Sequence, residues 1–130
     1  MFPVSQAVAE PGIVEVIYET PEDMDPARQA PLLELLQVEA AKAPLAIVFL
    51  VRKVSRVDPT VPRFWLDVTK ELDGKLVAMA IASSSMAVRV AAKAFSAANS
   101  MRGLSIRVGA FSDETEALFW ARQSLPQLVR

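Results

Sequence analysis

At 130 residues, with 52% of them hydrophobic and a formal net charge of −1, the chain has the size of one domain with one sizeable core and is too apolar for a disordered tail or linker. It contains no Cys and no His, which removes disulfide frameworks, the usual zinc sites and histidine-activated nucleophiles, and leaves only carboxylate, Lys or Tyr chemistry to an enzyme. The charge is unevenly spread: residues 1–41 hold eight acids against Arg28 alone, and residues 42–130 hold thirteen Lys/Arg against seven acids, an asymmetry that either steers a charged partner or neutralises itself across the folded surface.

The chain then alternates between two periodicities. Phe2 to Val8 alternates weakly through Val4, Ala7 and Val8, and can pair as a hairpin, through Glu10-Pro11-Gly12, with the β-branched and aromatic run Ile13–Tyr18. Thr20 to Pro26 is turn material whose acids suit the positive N-terminal end of a helix. That helix is expected over Ala27–Lys42, with Leu32, Leu33, Leu35, Leu36 and Val38 on a wide apolar face. Leu45–Val51 is apolar on both faces, as a central strand covered on both sides would be. After a polar turn at 52–58, Thr60–Leu72 has Phe64, Trp65, Val68 and Leu72 at helical spacing, with Pro62 tolerated in the first turn and Asp73-Gly74 as a stop. Leu76–Ile81 reads as a third buried strand. Ser83-Ser84-Ser85 offers caps for a helix Met86–Met101, whose core stripe is expected to be Met86, Val90, Ala94 and Ala98, with Ala87, Ala91 and Phe95 beside it. Gly103 breaks that helix. Leu104–Val108 alternates, as a half-exposed or edge strand does, and residues 112–116 cap a last helix ending near Gln123 with Leu118 and Phe119 inward.

This order, β-β-α-β-α-β-α-β-α, predicts one α/β domain over residues 1–130, with a mixed, mainly parallel sheet and helical crossovers. The longest apolar run, Pro44–Val51, is eight residues, far short of the ~18 that a membrane-spanning helix needs. The first residues lack the charged-then-apolar plan of a signal peptide, and a cytoplasmic location is expected. A sequence pI near 5.5 argues against a nucleic-acid partner. No calcium loop is present, and Gly12, Gly74, Gly103 and Gly109 are too scattered for a phosphate-cradling loop. No cofactor or metal is expected.

Three stretches carry a family resemblance. Gly12 to Thr20 with its acidic turn and helix, Ile47 to Thr60, and the run from Leu76 through Ser105–Val108 to Phe111–Leu118 resemble the STAS domain. This is the fold of bacterial anti-sigma-factor antagonists of the SpoIIAA type and of SEC14-like domains. The resemblance spans most of the chain and implies a STAS-like fold with a role in signal transduction through protein–protein interaction. In that family an Asp-Ser-Ser-Gly run opens the regulatory helix, and the serine directly after the Asp accepts the phosphate. Aligned through Asp58, that position is Pro59, which has no hydroxyl; the next is Thr60, and Val61 replaces the glycine. Thr60 is the phosphorylation candidate that remains.

Thr60 with Arg52, Lys53, Arg56 and Arg63 forms the most suggestive constellation. A phosphate there would sit at a helix N-terminus among cations, and without it the same cations suit an anionic ligand or an acidic partner. The plainer alternative is an N-cap at Asp58 or Thr60 with solvated arginines. Phe64 and Trp65 stand ~100° apart on a helix, so one of them is expected to be an exposed anchor. Trp120 beside Phe119 raises the same question. Ser83–Ser85 can cap or cradle a phosphate, and the alanines of Met86–Met101 allow either tight packing on the sheet or a partner helix.

The resulting expectation is a non-enzymatic regulatory or scaffolding module. It would bind a partner protein (a regulator, a kinase-like protein or a scaffold component) through Arg52, Lys53, Arg56, Asp58, Thr60, Arg63 and Trp65, and is compatible with a homo-oligomer. The alternative is a SEC14-like binder of an apolar or anionic small molecule, which a pocket lined by Phe49, Phe64 and Phe95 would favour.

Overall fold

A computed structural model describes residues 5–125. Five strands form one sheet in chain order: β1 (Ser5–Glu10), β2 (Ile13–Tyr18), β3 (Leu45–Val51), β4 (Leu76–Ala82) and β5 (Arg107–Phe111). β1 is antiparallel to β2, and the other pairs are parallel. The expected hairpin is therefore present, closed at Pro11-Gly12 with Gly12 at φ 86°; the part of that prediction before Ser5 lies outside the described residues. Four helices follow the last four strands: α1 (Ala30–Ala40), α2 (Thr60–Glu71), α3 (Met86–Met101) and α4 (Glu114–Ser124).

The three crossover helices cover one face of the sheet, where Val14, Val16, Tyr18, Ile47, Phe49, Val51 and Met79 meet Leu32, Leu36, Trp65, Val68, Val88 and Phe95. The opposite face is lined by Ala46, Val48, Leu50, Ala78, Ala80 and Ala82, and α4 lies on it through Ala117 and Ala121. All seven residues of β3 are buried, as its unbroken apolar run predicts for a strand covered on both sides.

Four expectations need correction. α1 starts at Ala30, after two short 3-10 turns at Pro21–Met24 and Pro26–Arg28; Thr20 and Asp23 cap the first reciprocally, and the Asp25 carboxylate accepts the Ala27 N–H. Its buried stripe is Leu32, Leu36 and Ala40, and Val38 is exposed, because five apolar positions span more arc than one contact stripe can bury. α3 is turned outward relative to expectation: Val88, Ala92, Phe95 and Asn99 face inward, while Met86 and Val90 face solvent. Two stripes of similar apolarity compete there, and the large Phe95 ring together with a buried Asn99 decides between them. The Thr69 hydroxyl donates to Asn99 Oδ1 at 3.0 Å and Asn99 Nδ2 donates to the Phe95 carbonyl at 3.2 Å, pinning α2 to α3.

β5 lies three residues later than the alternation of Leu104–Val108 indicates, because Gly109 and Ala110 have weak strand propensity and hide its second half. It is an edge strand, as expected. In α4, Phe119 is 58% exposed and Leu118 only half-buried: the alanine-lined sheet face admits a closely packed helix, so the small Ala117 and Ala121 take the contact. Trp120 packs on Phe111, with the Arg107 guanidinium 5.2 Å from its ring centroid.

Candidate functional site

The segment Arg52–Thr60 leaves the carboxyl end of β3, the side on which parallel α/β sheets place their ligand sites. Asp58 shapes its end: its carboxylate accepts the Thr60 N–H at 2.9 Å and the Thr60 hydroxyl proton at 2.7 Å, closing the turn that leads into α2, whose N-cap is Pro59 rather than the expected Asp58 or Thr60. Those two bonds hold Asp58 below the usual carboxylate range.

The cations do not gather around Thr60. Arg52 turns the other way and grips Glu114 with both forks, Nε and Nη2 donating to its two carboxylate oxygens at 2.9 Å each. That pairing holds Glu114 below the ordinary glutamate range, chiefly through the hydrogen bonds, and raises Arg52. Lys53 is exposed and adopts a left-handed backbone, φ 54°. Arg63 is exposed on α2. Only Arg56 shares a space with Thr60, a cleft of about 590 Å³ bounded by Pro21, Glu22, Asp25 and Pro26 on one side and Arg56–Val61 on the other. With Glu22, Asp25 and Asp58 against one guanidinium, the cleft carries more negative than positive charge, contrary to the cationic constellation expected. A phosphate on Thr60 would lose the proton now donated to Asp58 and set a dianion beside a carboxylate.

Trp65 is a further correction. It is 4% exposed and meets the Phe49 ring edge-on at 5.0 Å, while Phe64, half-buried, packs against Trp65 at 5.5 Å. The 100° between them sends Trp65 to the sheet and Phe64 across its flank, so neither is an exposed anchor.

Trp65 instead walls an apolar recess beside the cleft, with Tyr18, Phe49, Met79, Val88 and Phe95 among its other walls and Val57 and Val61 shared between the two spaces. Its volume is about 70 Å³. Of the three residues whose pocket would favour the small-molecule alternative, Phe49 and Phe95 line this recess and Phe64 does not; Trp65 does instead. The Tyr18 hydroxyl is already committed: it donates to Gln29 Oε1 at 2.8 Å, and Gln29 Nε2 donates to the carbonyls of Asp23 and Asp25. Burial, with the charge of Asp23 second, pushes the Tyr18 phenol far above its ordinary range.

Sequence reasoning missed Tyr18, Met79, Val88, Glu22 and Asp25 as neighbours of the 52–65 segment. They come from β2, β4, α3 and the turns after β2, and the one available signal was the rule that strand carboxyl ends converge. Ser83–Ser85 are caps: Ser85 Oγ accepts the Val88 N–H and Ser83 Oγ the Ser85 N–H. Among the described residues no cluster of His, Cys, Asp or Glu is arranged to hold a metal, and no helix is long and apolar enough to cross a membrane.

The structure is similar to the crystal structure of an uncharacterized protein from the DUF3478 family with a SpoIIAA-like fold, from Shewanella loihica PV-4. The TM-score is 0.56 at 16% sequence identity, covering 91% of each chain. At that identity the likeness shows the fold, which is SpoIIAA-like, the STAS type. No protein-family model and no curated protein matches the chain.

Proposed function

We propose that the chain is a non-enzymatic regulatory or scaffolding module that docks a partner protein at the carboxyl edge of its sheet, over the segment 52–65. The supporting observation is the apolar recess of about 70 Å³ opening beside the cleft at Thr60. A space of that size suits one apolar side chain of a partner. Burying such an anchor is worth about 1.5–3 kcal/mol, or roughly 10- to 100-fold in affinity. Arg56, Asp58 and Thr60 supply the polar rim, in the arrangement typical of protein interfaces.

Affinity capture from the source cells tests this with wild type, Ala91→Phe to fill the recess, and an Arg56→Glu variant in the adjoining cleft. A partner recovered by wild type and lost with Ala91→Phe, at unchanged melting temperature, is the expected result. If all three recover the same proteins in the same amounts, the docking surface is elsewhere. Intact mass of the protein from its native cell reports separately on phosphorylation of Thr60.

The apolar lining also favours a second reading, a SEC14-like binder of a small apolar molecule. The recess is well below the ~300–1,000 Å³ of sites that enclose drug-sized ligands, which places this reading second. Native mass spectrometry of the protein purified from its source distinguishes the two: a bound small molecule absent from Ala91→Phe supports the second.

A further inference from the structure

α3 is apolar on two sides, and among the described residues the fold covers only one. Val88, Ala92, Phe95 and Asn99 face the sheet and α2. On the opposite side Met86 is 71% exposed, Val90 59% and Met101 88%, with Ala94 and Ala97 exposed between them. At 100° per residue Met86, Val90, Ala97 and Met101 fall within a ~60° arc, and Ala94 borders it. A helix that is hydrophobic all round belongs in an interior, and a continuous stripe of this kind differs from singly scattered surface side chains. Its 4-residue and 3- to 4-residue steps match the ridge that one helix presents to another, and the alanines at its centre let a second backbone approach closely.

Charge decides what fits. Between Met86 and Arg102 the helix carries Arg89, Lys93 and Arg102 and no Asp or Glu. Lys93 borders the apolar arc on the side away from Ala94, is exposed and makes no ion pair among the described residues. Arg89 Nη1 donates to the Ser83 carbonyl at 2.8 Å, anchoring its charge at the start of the stripe. A second copy packed α3 on α3 is isologous, so it would set these cations against one another with no carboxylate on either helix. An amphipathic helix with acids flanking an apolar seam matches both the stripe and the charge. We propose that the outer face of α3 is a docking site for an acidic amphipathic helix of a partner protein, separate from the recess at the sheet edge.

The test uses two synthetic helix-forming peptides, each about three heptads long with Leu along the seam, one flanked by Glu and the other by Lys. Each is titrated into the full-length protein, with amide shifts locating the contact. The Glu peptide is expected to shift α3 and to bind at least about fivefold more tightly than the Lys peptide, with the advantage shrinking as salt rises. Val90→Lys is expected to abolish binding and Lys93→Glu to erase the preference. Both positions are exposed, so both variants should keep the wild-type melting temperature.

Equal binding of the two peptides, shifts away from α3, or no binding overturns the proposal. So does a concentration-dependent dimer that Val90→Lys dissolves, which would make a second copy the occupant. Binding to phosphatidylglycerol vesicles but not to the Glu peptide would assign the face to an anionic membrane instead.

Discussion

Tyr18 is the only tyrosine in the chain, and its environment allows one ionisation state. The ring stacks on Phe49 at 5.7 Å and the hydroxyl is committed to Gln29. Because burial raises its folded pKa, the stability that Tyr18 contributes is complete below the ordinary tyrosine range near pH ~10 and is lost as pH climbs above it. The folded protein is therefore expected to show no tyrosinate absorbance in alkali until it unfolds, so that the tyrosinate signal and the loss of circular dichroism coincide. A titration with tyrosinate appearing while the fold persists would contradict this. Tyr18→Phe should remove the coupling and destabilise by about 1–3 kcal/mol, since Gln29 Oε1 loses its donor in a buried site. Gly109 illustrates a different constraint. A Cβ there would lie 2.7 Å from the Phe111 ring and 3.2 Å from Trp120, so the edge strand is thinned where Trp120 lies across it.

Between elements, the Arg52–Glu114 fork joins the end of β3 to the first turn of α4, where the acid also meets the positive end of the helix. Both side chains are about 40% exposed, which limits the pair to about 0.2–1 kcal/mol. Glu114 is held below the ordinary glutamate range, so this stability is present at neutral pH and lost as pH falls through the lowered value. Denaturation midpoints measured from pH 7 downward should fall less steeply for Glu114→Gln than for wild type; parallel acid limbs would show that the fork contributes nothing. Arg122 and Glu10 form a second such clasp, between α4 and the hairpin.

Legibility in the sequence follows the same lines. Strand and helix order was readable because each element's periodicity is local, and β3 declared its burial through an unbroken apolar run. The faces of α3 and α4 were not readable: in α3 two stripes of similar apolarity compete, and in α4 the larger Leu118 and Phe119 give way to alanines, so what the sheet offers decides both. An alanine-lined sheet face selects Ala117 over Phe119, and a Thr69 on another helix selects Asn99. The candidate site was legible only as a segment. The Asp58–Thr60 turn follows from local spacing, whereas the diversion of Arg52 to Glu114, 62 residues away, and the acids across the cleft depend on the finished topology.

In the whole molecule, stability should be graded outward from β3, which is paired on both sides from Ala46 to Leu50 and whose two faces are covered by different helices. Native-state hydrogen exchange is expected to find its amides exchanging only through global unfolding, with β1 and β5 opening at lower cost as edge strands. Faster exchange in β3 than in β5 would contradict this layering.

The strands lie in the sheet in the order in which they occur along the chain, and this has a consequence for synthesis. Each new strand emerging from the ribosome finds its neighbour already made, with only one crossover helix between them, so loop-closure costs are met in small steps. The hairpin can serve as template for β3, β3 for β4, and β4 for β5. α4 is made last of the described elements, and it rests on β3, β4 and β5 together. Until it arrives, the alanine-lined face stays bare, and that interval is when a nascent chain is most open to capture by a chaperone or by another chain.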